Sequence, residues 1–87
     1  MAYEVAYTAT ALKQLRKLDP PLSRWILDYM DEIAALPDPR SRGKGLVGDQ
    51  SGFWRYRVGD LRILCDLDDN HLRILALEVG HGSQIYG

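Results

Sequence analysis

The 87-residue chain is short of several things. It has one cysteine, Cys65, so an internal disulfide is excluded and a reducing, cytoplasmic setting is expected. With that lone cysteine and two histidines there is no zinc-ligand spacing, and no metal or other cofactor is expected. The longest apolar runs are four residues, as at Ile74 to Leu77, which excludes a membrane-spanning helix and a signal-peptide core. Net charge is also scarce: 11 basic against 12 acidic residues give −1, which at face value speaks against a nucleic-acid binder. The length leaves room for one domain, residues 1–87. A fold of this size buries only about 60–65% of the surface its unfolded chain exposes, so a well-packed core or a covering partner is needed.

What is present is clear periodicity. Tyr3, Val5 and Tyr7 alternate with Ala2, Glu4 and Ala6, which predicts a short strand. Thr8 or Thr10 then caps a helix with Ala11, Leu12, Leu15 and Leu18 on one face. Asp19 stands as the N-cap, and Pro20 as the first residue, of a second helix running to about Leu36. The link between them allows only an antiparallel helical hairpin. Residues 37–52, with two prolines and four glycines, read as irregular. Three strands follow: Phe53 to Val58, Leu61 to Leu67 and Leu72 to Val79, joined by turns at Gly59-Asp60 and at 68–71. The order β-α-α-β-β-β predicts an α+β fold, with two helices packed on one face of a four-stranded antiparallel sheet. In the last strand Leu72, Ile74 and Ala76 fall on one side and Leu75, Leu77 and Val79 on the other. Apolar on both faces, it should lie inside the sheet. The helix-free face then needs partial cover from a bend, the long loop or a partner.

The charge is neutral only in sum. Residues 40–62 hold Arg40, Arg42, Lys44, Arg55, Arg57 and Arg62 against Asp49 and Asp60. Arg55 and Arg57, two apart on a strand, share a face. A two-residue turn at Gly59-Asp60 pairs Val58 with Leu61 and Arg57 with Arg62, which brings Arg62 to that same face. Like charges opposed across strands cost about 0.2–1 kcal/mol. Folding supplies no reason to place three guanidiniums there, whereas a phosphate does, because planar charged forks match its oxygens. The bland alternative is a solvated arginine face, paired with Asp66 or Asp68. Cys65 falls on the core side and reads as packing, and His71 lies in a turn.

The start MAYEVAYTATALKQLRKLDP, the core WRYRVGDLRILCDLDDNHLRILALEVGH and the ending IY resemble the RelE/ParE toxin superfamily, on the RelE side, over essentially the whole chain. The resemblance implies a toxin of a toxin–antitoxin pair. Such a toxin is a ribosome-dependent mRNA endoribonuclease (an mRNA interferase) that cuts A-site codons without a metal and so inhibits translation. The ribose 2′-OH attacks the adjacent phosphate. The implied partners are a RelB-like antitoxin, the ribosome with mRNA in its A site, and operator DNA only through the antitoxin. No membrane is involved.

By the same resemblance, Arg55, Arg57 and Arg62 surround the scissile phosphate and Tyr86 stacks on or orients the nucleotide. Arg40, Arg42 and Lys44 extend the RNA-binding surface. Two departures stand out. The well-studied branch carries lysines where Arg55 and Arg57 stand, and an arginine does not release its proton, so Arg57 suits charge stabilisation and leaves the general base unassigned. After VGH the family usually carries an arginine at the leaving group, where this chain has Gly82. Loss of one such group typically costs about 10²–10³ in rate. His81 is a candidate acid–base group, since its ordinary pKa lies near neutrality, or else a residue that orients the tail. The alternatives from other classes are a ParE-like gyrase inhibitor and a degenerate toxin that only binds its antitoxin.

Overall fold

The computed structural model describes residues 2–81. The elements are β1 (Glu4–Tyr7), α1 (Ala9–Arg16), α2 (Pro20–Ala35), β2 (Lys44–Gly45), β3 (Trp54–Val58), β4 (Leu61–Asp68) and β5 (Arg73–His81). They form the expected α+β fold, but the sheet has five strands, in the order β1-β5-β4-β3-β2. The extra strand, β2, is two residues long, follows Gly43 and ends on Gly45, too short to leave a period in the sequence. Nor is the sheet wholly antiparallel: β1 pairs with β5 in parallel, Val5 opposite Ile74. A parallel pair needs a long crossover. Here that is everything between the two strands.

Local chemistry sets the helix starts. Thr8, not Thr10, caps α1: its hydroxyl oxygen accepts from the Ala11 N–H at 3.0 Å. Asp19 occupies the cap position of α2, yet its carboxylate makes no capping bond. Its backbone carbonyl accepts from Leu22 and Ser23 instead, and Pro20 supplies a first residue that needs no partner for an N–H. The hairpin is clipped by the Ser23 hydroxyl, which donates to the Leu15 carbonyl at 2.6 Å. Ala11, Leu15, Ile26, Met30 and Ile33 then meet Tyr56, Ile63, Cys65, Ile74 and Ala76 in one core. Burial pushes the Cys65 thiol pKa well up, as expected of a packing residue.

The last strand departs from simple alternation. Leu64 pairs with Glu78 and Cys65 with Ala76, so Leu77 is an extra residue, a β-bulge. Beyond it the strand changes face. Val79 is buried in the core with Ile74 and Ala76, not aligned with Leu75 and Leu77. Polar groups freed by the bulge are taken up by the start of α1. The Thr8 hydroxyl donates to the Leu77 carbonyl at 2.7 Å, and the Val79 N–H donates to Gln14 Oε1 at 2.6 Å. On the helix-free side Leu64 is only 3% exposed, and Gln50 and Phe53 of the long loop line a hollow over it with Leu77. The loop thus supplies part of the cover that this face requires.

Gln14→Leu strands the Val79 N–H and should cost about 1–3 kcal/mol in urea unfolding. Tyr7→Phe should be neutral or stabilising in the same assay. The Tyr7 hydroxyl is buried without a hydrogen-bond partner among the described residues, and burial is the main cause pushing its pKa up to about 12.

Candidate functional site

The β3–β4 hairpin folds in the register that its turn dictates. Val58 pairs with Leu61, Arg57 with Arg62, Tyr56 with Ile63 and Arg55 with Leu64. Gly59 has φ +59°, the left-handed conformation that a tight turn requires and glycine adopts freely. Trp54, Tyr56 and Val58 pack toward the helices, so Arg55, Arg57 and Arg62 leave on the opposite face. β2 adds a fourth cation, since Lys44 lies directly across from Arg55. Together with Tyr29 and Gly43 these four line a cavity of about 220 Å³.

None of the four makes an ion pair among the described residues. Asp68, one suggested neutraliser, is instead bonded to His71 at 2.7 Å. That contact, first among several, holds the Asp68 carboxyl below its ordinary pKa. Arg57 directs its Nε to the Gly59 carbonyl at 3.1 Å, which orients the side chain without neutralising it. The result is a cluster of uncompensated positive charge, two members of which oppose each other across adjacent strands.

The loop cations divide. Arg40 pairs with Asp69 at 2.9 Å and lies over the Trp54 ring at 6.0 Å, on the side of β3 opposite Arg55. Arg42 pairs with Glu32 of α2 at 2.6 Å. Each guanidinium pKa is raised, chiefly by its carboxylate partner. Both arginines are therefore committed to holding the loop, and of the three loop cations only Lys44 joins the cavity. The loop itself is pinned to β3 from beneath. The Tyr56 hydroxyl donates to the Pro39 carbonyl and Trp54 Nε1 donates to the Arg42 carbonyl, both at 2.7 Å. Gly43 makes this approach possible. Its φ is +81°, and a Cβ there would lie 2.6 Å from the Arg55 carbonyl oxygen and from Trp54 Nε1.

His81 ends β5 opposite Leu61, in the helix-side row, whereas Gly80 stands opposite Arg62. Register therefore sets the imidazole apart from the arginine face. Tyr86 and Gly82 lie outside the described residues. Tyr29 is the cavity residue that sequence periodicity missed. It falls within the apolar stripe of α2 and carries no local signal separating it from core.

The sequence pattern of the ParE toxin family, toxins of type II toxin–antitoxin systems (parDE), matches residues 5–86. Toxin RelG of Mycobacterium tuberculosis is 31% identical over 87 residues, covering 99% of this chain and 98% of that protein. Toxin RelE of the same organism is 31% identical over 84 residues, covering 97% of this chain and 86% of its own length. Among solved structures, the toxin–antitoxin complex RelBE2 of M. tuberculosis superposes with a TM-score of 0.85 at 29% identity, covering 93% of this chain and 92% of its counterpart.

A bound anion should relieve the charge crowding. Inorganic phosphate should raise the melting temperature above that in chloride at equal ionic strength, and the Arg57→Gln/Arg62→Gln variant should lose this response. In low salt the same variant should be more stable than the parent by up to about 1 kcal/mol, a difference that shrinks at high salt.

Proposed function

The chain belongs to the RelE/ParE toxin superfamily of type II toxin–antitoxin systems, and from that membership we propose that it is a ribosome-dependent mRNA endoribonuclease. The observation that carries this reading is the cavity lined by Lys44, Arg55, Arg57 and Arg62 with no carboxylate paired to any of them among the described residues. Such a site suits a phosphodiester whose charge grows during reaction.

In the proposed reaction the 2′-oxygen of an A-site nucleotide bonds to the adjacent phosphorus as the P–O5′ bond breaks. A 2′,3′-cyclic phosphate and a 5′-hydroxyl result. Arg57 and Arg62, opposed across the hairpin, hold the scissile phosphate and stabilise the phosphorane. Arg55 and Lys44, one row along, engage the neighbouring backbone. Tyr86 orients the nucleotide. Arginines remain protonated, so the cluster supplies charge and geometry and leaves the proton transfers to other groups. Gly82 occupies the position where the resemblance places a leaving-group arginine, so this chain should turn over slowly.

An antitoxin of the RelB type is the proposed partner. Solved structures similar to this chain include toxin–antitoxin complexes, among them the archaeal RelE–RelB complex of Pyrococcus horikoshii. No helix among the described residues is long and apolar enough to cross a membrane. Action on the ribosome would place the protein in the cytoplasm. The match to the ParE family keeps a second reading, gyrase inhibition, in view.

The deciding experiment compares this sequence with Gly82→Arg on ribosomes programmed with a defined mRNA. The arginine variant should cleave within the A-site codon, about 10²–10³-fold faster than the parent. Neither should affect supercoiling by purified gyrase. An inert Gly82→Arg variant, under conditions where a related toxin cuts, would sink the ribonuclease reading. Gyrase inhibition would replace it with the second.

A further inference from the structure

The cavity on the arginine face is not lined by cations alone. Four of its six lining residues are Lys44, Arg55, Arg57 and Arg62, and the fifth, Gly43, offers backbone. The sixth, Tyr29, brings an aromatic ring from a different layer of the fold. A phosphate needs only the cations. A nucleotide also presents a base with a π-face, and aromatic rings are the sequence-tolerant receptors for bases.

Tyr29 is built for such a task. It sits mid-helix on α2, between the fully buried Ile26 and Ile33, so its backbone is fixed by core packing. Its ring stands edge-on to Tyr56, with centroids 6.2 Å apart and planes at 70°. Tyr56 is itself locked by its hydroxyl bond to Pro39. The ring is only half-buried and remains part of the cavity wall. Gly43, which lines the same cavity, lies so close to β3 that a Cβ there would meet the Arg55 carbonyl oxygen, Trp54 Nε1 and the Tyr56 ring. At about 220 Å³ the cavity is smaller than the roughly 300–1,000 Å³ of drug-sized sites, a scale suited to part of one nucleotide.

We infer that Tyr29 is a substrate-binding residue, the wall on which one base of the A-site codon stacks while the Arg55–Arg57–Arg62 cluster holds its phosphate. This inference rests on the ribonuclease reading and adds a base subsite to it. It also assigns a role on the substrate to the helical layer.

The test measures binding of fluorescently labelled protein to programmed ribosomes. The A-site codon carries 2′-O-methyl nucleotides, which cannot be cut. A second set of mRNAs replaces each A-site base in turn with an abasic residue. Tyr29→Leu should bind the base-bearing codon roughly tenfold or more weakly than the parent, the scale of one base–aromatic stack. Tyr29→Phe should bind like the parent. At one abasic position parent and Tyr29→Leu should become equal. The inference is overturned if Tyr29→Leu matches the parent on the intact codon, or is weaker by the same factor on every abasic mRNA. It is also overturned if Tyr29→Phe is as weak as Tyr29→Leu. If instead the Arg57→Gln/Arg62→Gln variant binds as well as the parent, the ribonuclease reading itself fails and the subsite fails with it. Loss of binding in that variant with indifference at Tyr29 rejects the subsite alone.

Discussion

The hydrogen bond from the buried Tyr56 hydroxyl to the Pro39 carbonyl is the constraint on which the rest of the site depends. Burial of a phenol without a partner is costly, so the loop must come to it. Once Pro39 is held there, Trp54 reaches the Arg42 carbonyl, Gly43 crosses against β3, and Lys44 falls opposite Arg55. One strand thus has two tasks. Its inward residues fasten a glycine- and proline-rich segment that has little structure of its own, and its outward residues present charge. The cavity exists because both tasks are performed within five residues.

The charges are sorted by the same geometry. Arg40 and Arg42 are compensated by Asp69 and Glu32 and serve as braces. Lys44, Arg55, Arg57 and Arg62 are left uncompensated on the other side. A net charge of −1 describes neither group. Six basic residues close in sequence become two populations because the two loop arginines reach the carboxylates of Asp69 and Glu32, whereas the cations of β2, β3 and β4 form no ion pair among the described residues. Surface pairs of this kind contribute little stability, so their value is in placing the loop.

Legibility in the sequence followed the range of the interaction. The hairpin register, and with it the shared face of Arg55, Arg57 and Arg62, was readable because a two-residue turn dictates it locally. The two helices were readable from their three- and four-residue spacing. Between Thr8 and Thr10 the choice turned on contact with the distant Leu77 carbonyl, which no local pattern contains. The parallel pairing of β1 and β5 and the two-residue β2 are likewise long-range or too short for periodicity. Tyr29 was hidden because an apolar stripe does not distinguish a residue facing the core from one at its rim. The roles of Arg40 and Arg42 depended on partners found only in the fold.

The bulge at Leu77 acts on β5 as an inserted letter acts on a reading frame. Every side chain after it is displayed on the side opposite to the one strict alternation would choose. Were the strand to keep Leu77 but alternate strictly, Val79 would leave the core, His81 would join the arginine face and Gly80 would take the inward row. The contacts of Thr8 and Gln14 therefore do more than satisfy two polar groups: they hold the frame. In such a strand the irregularity of the backbone, more than the identity of Leu77, decides which residues between Glu78 and His81 reach the core.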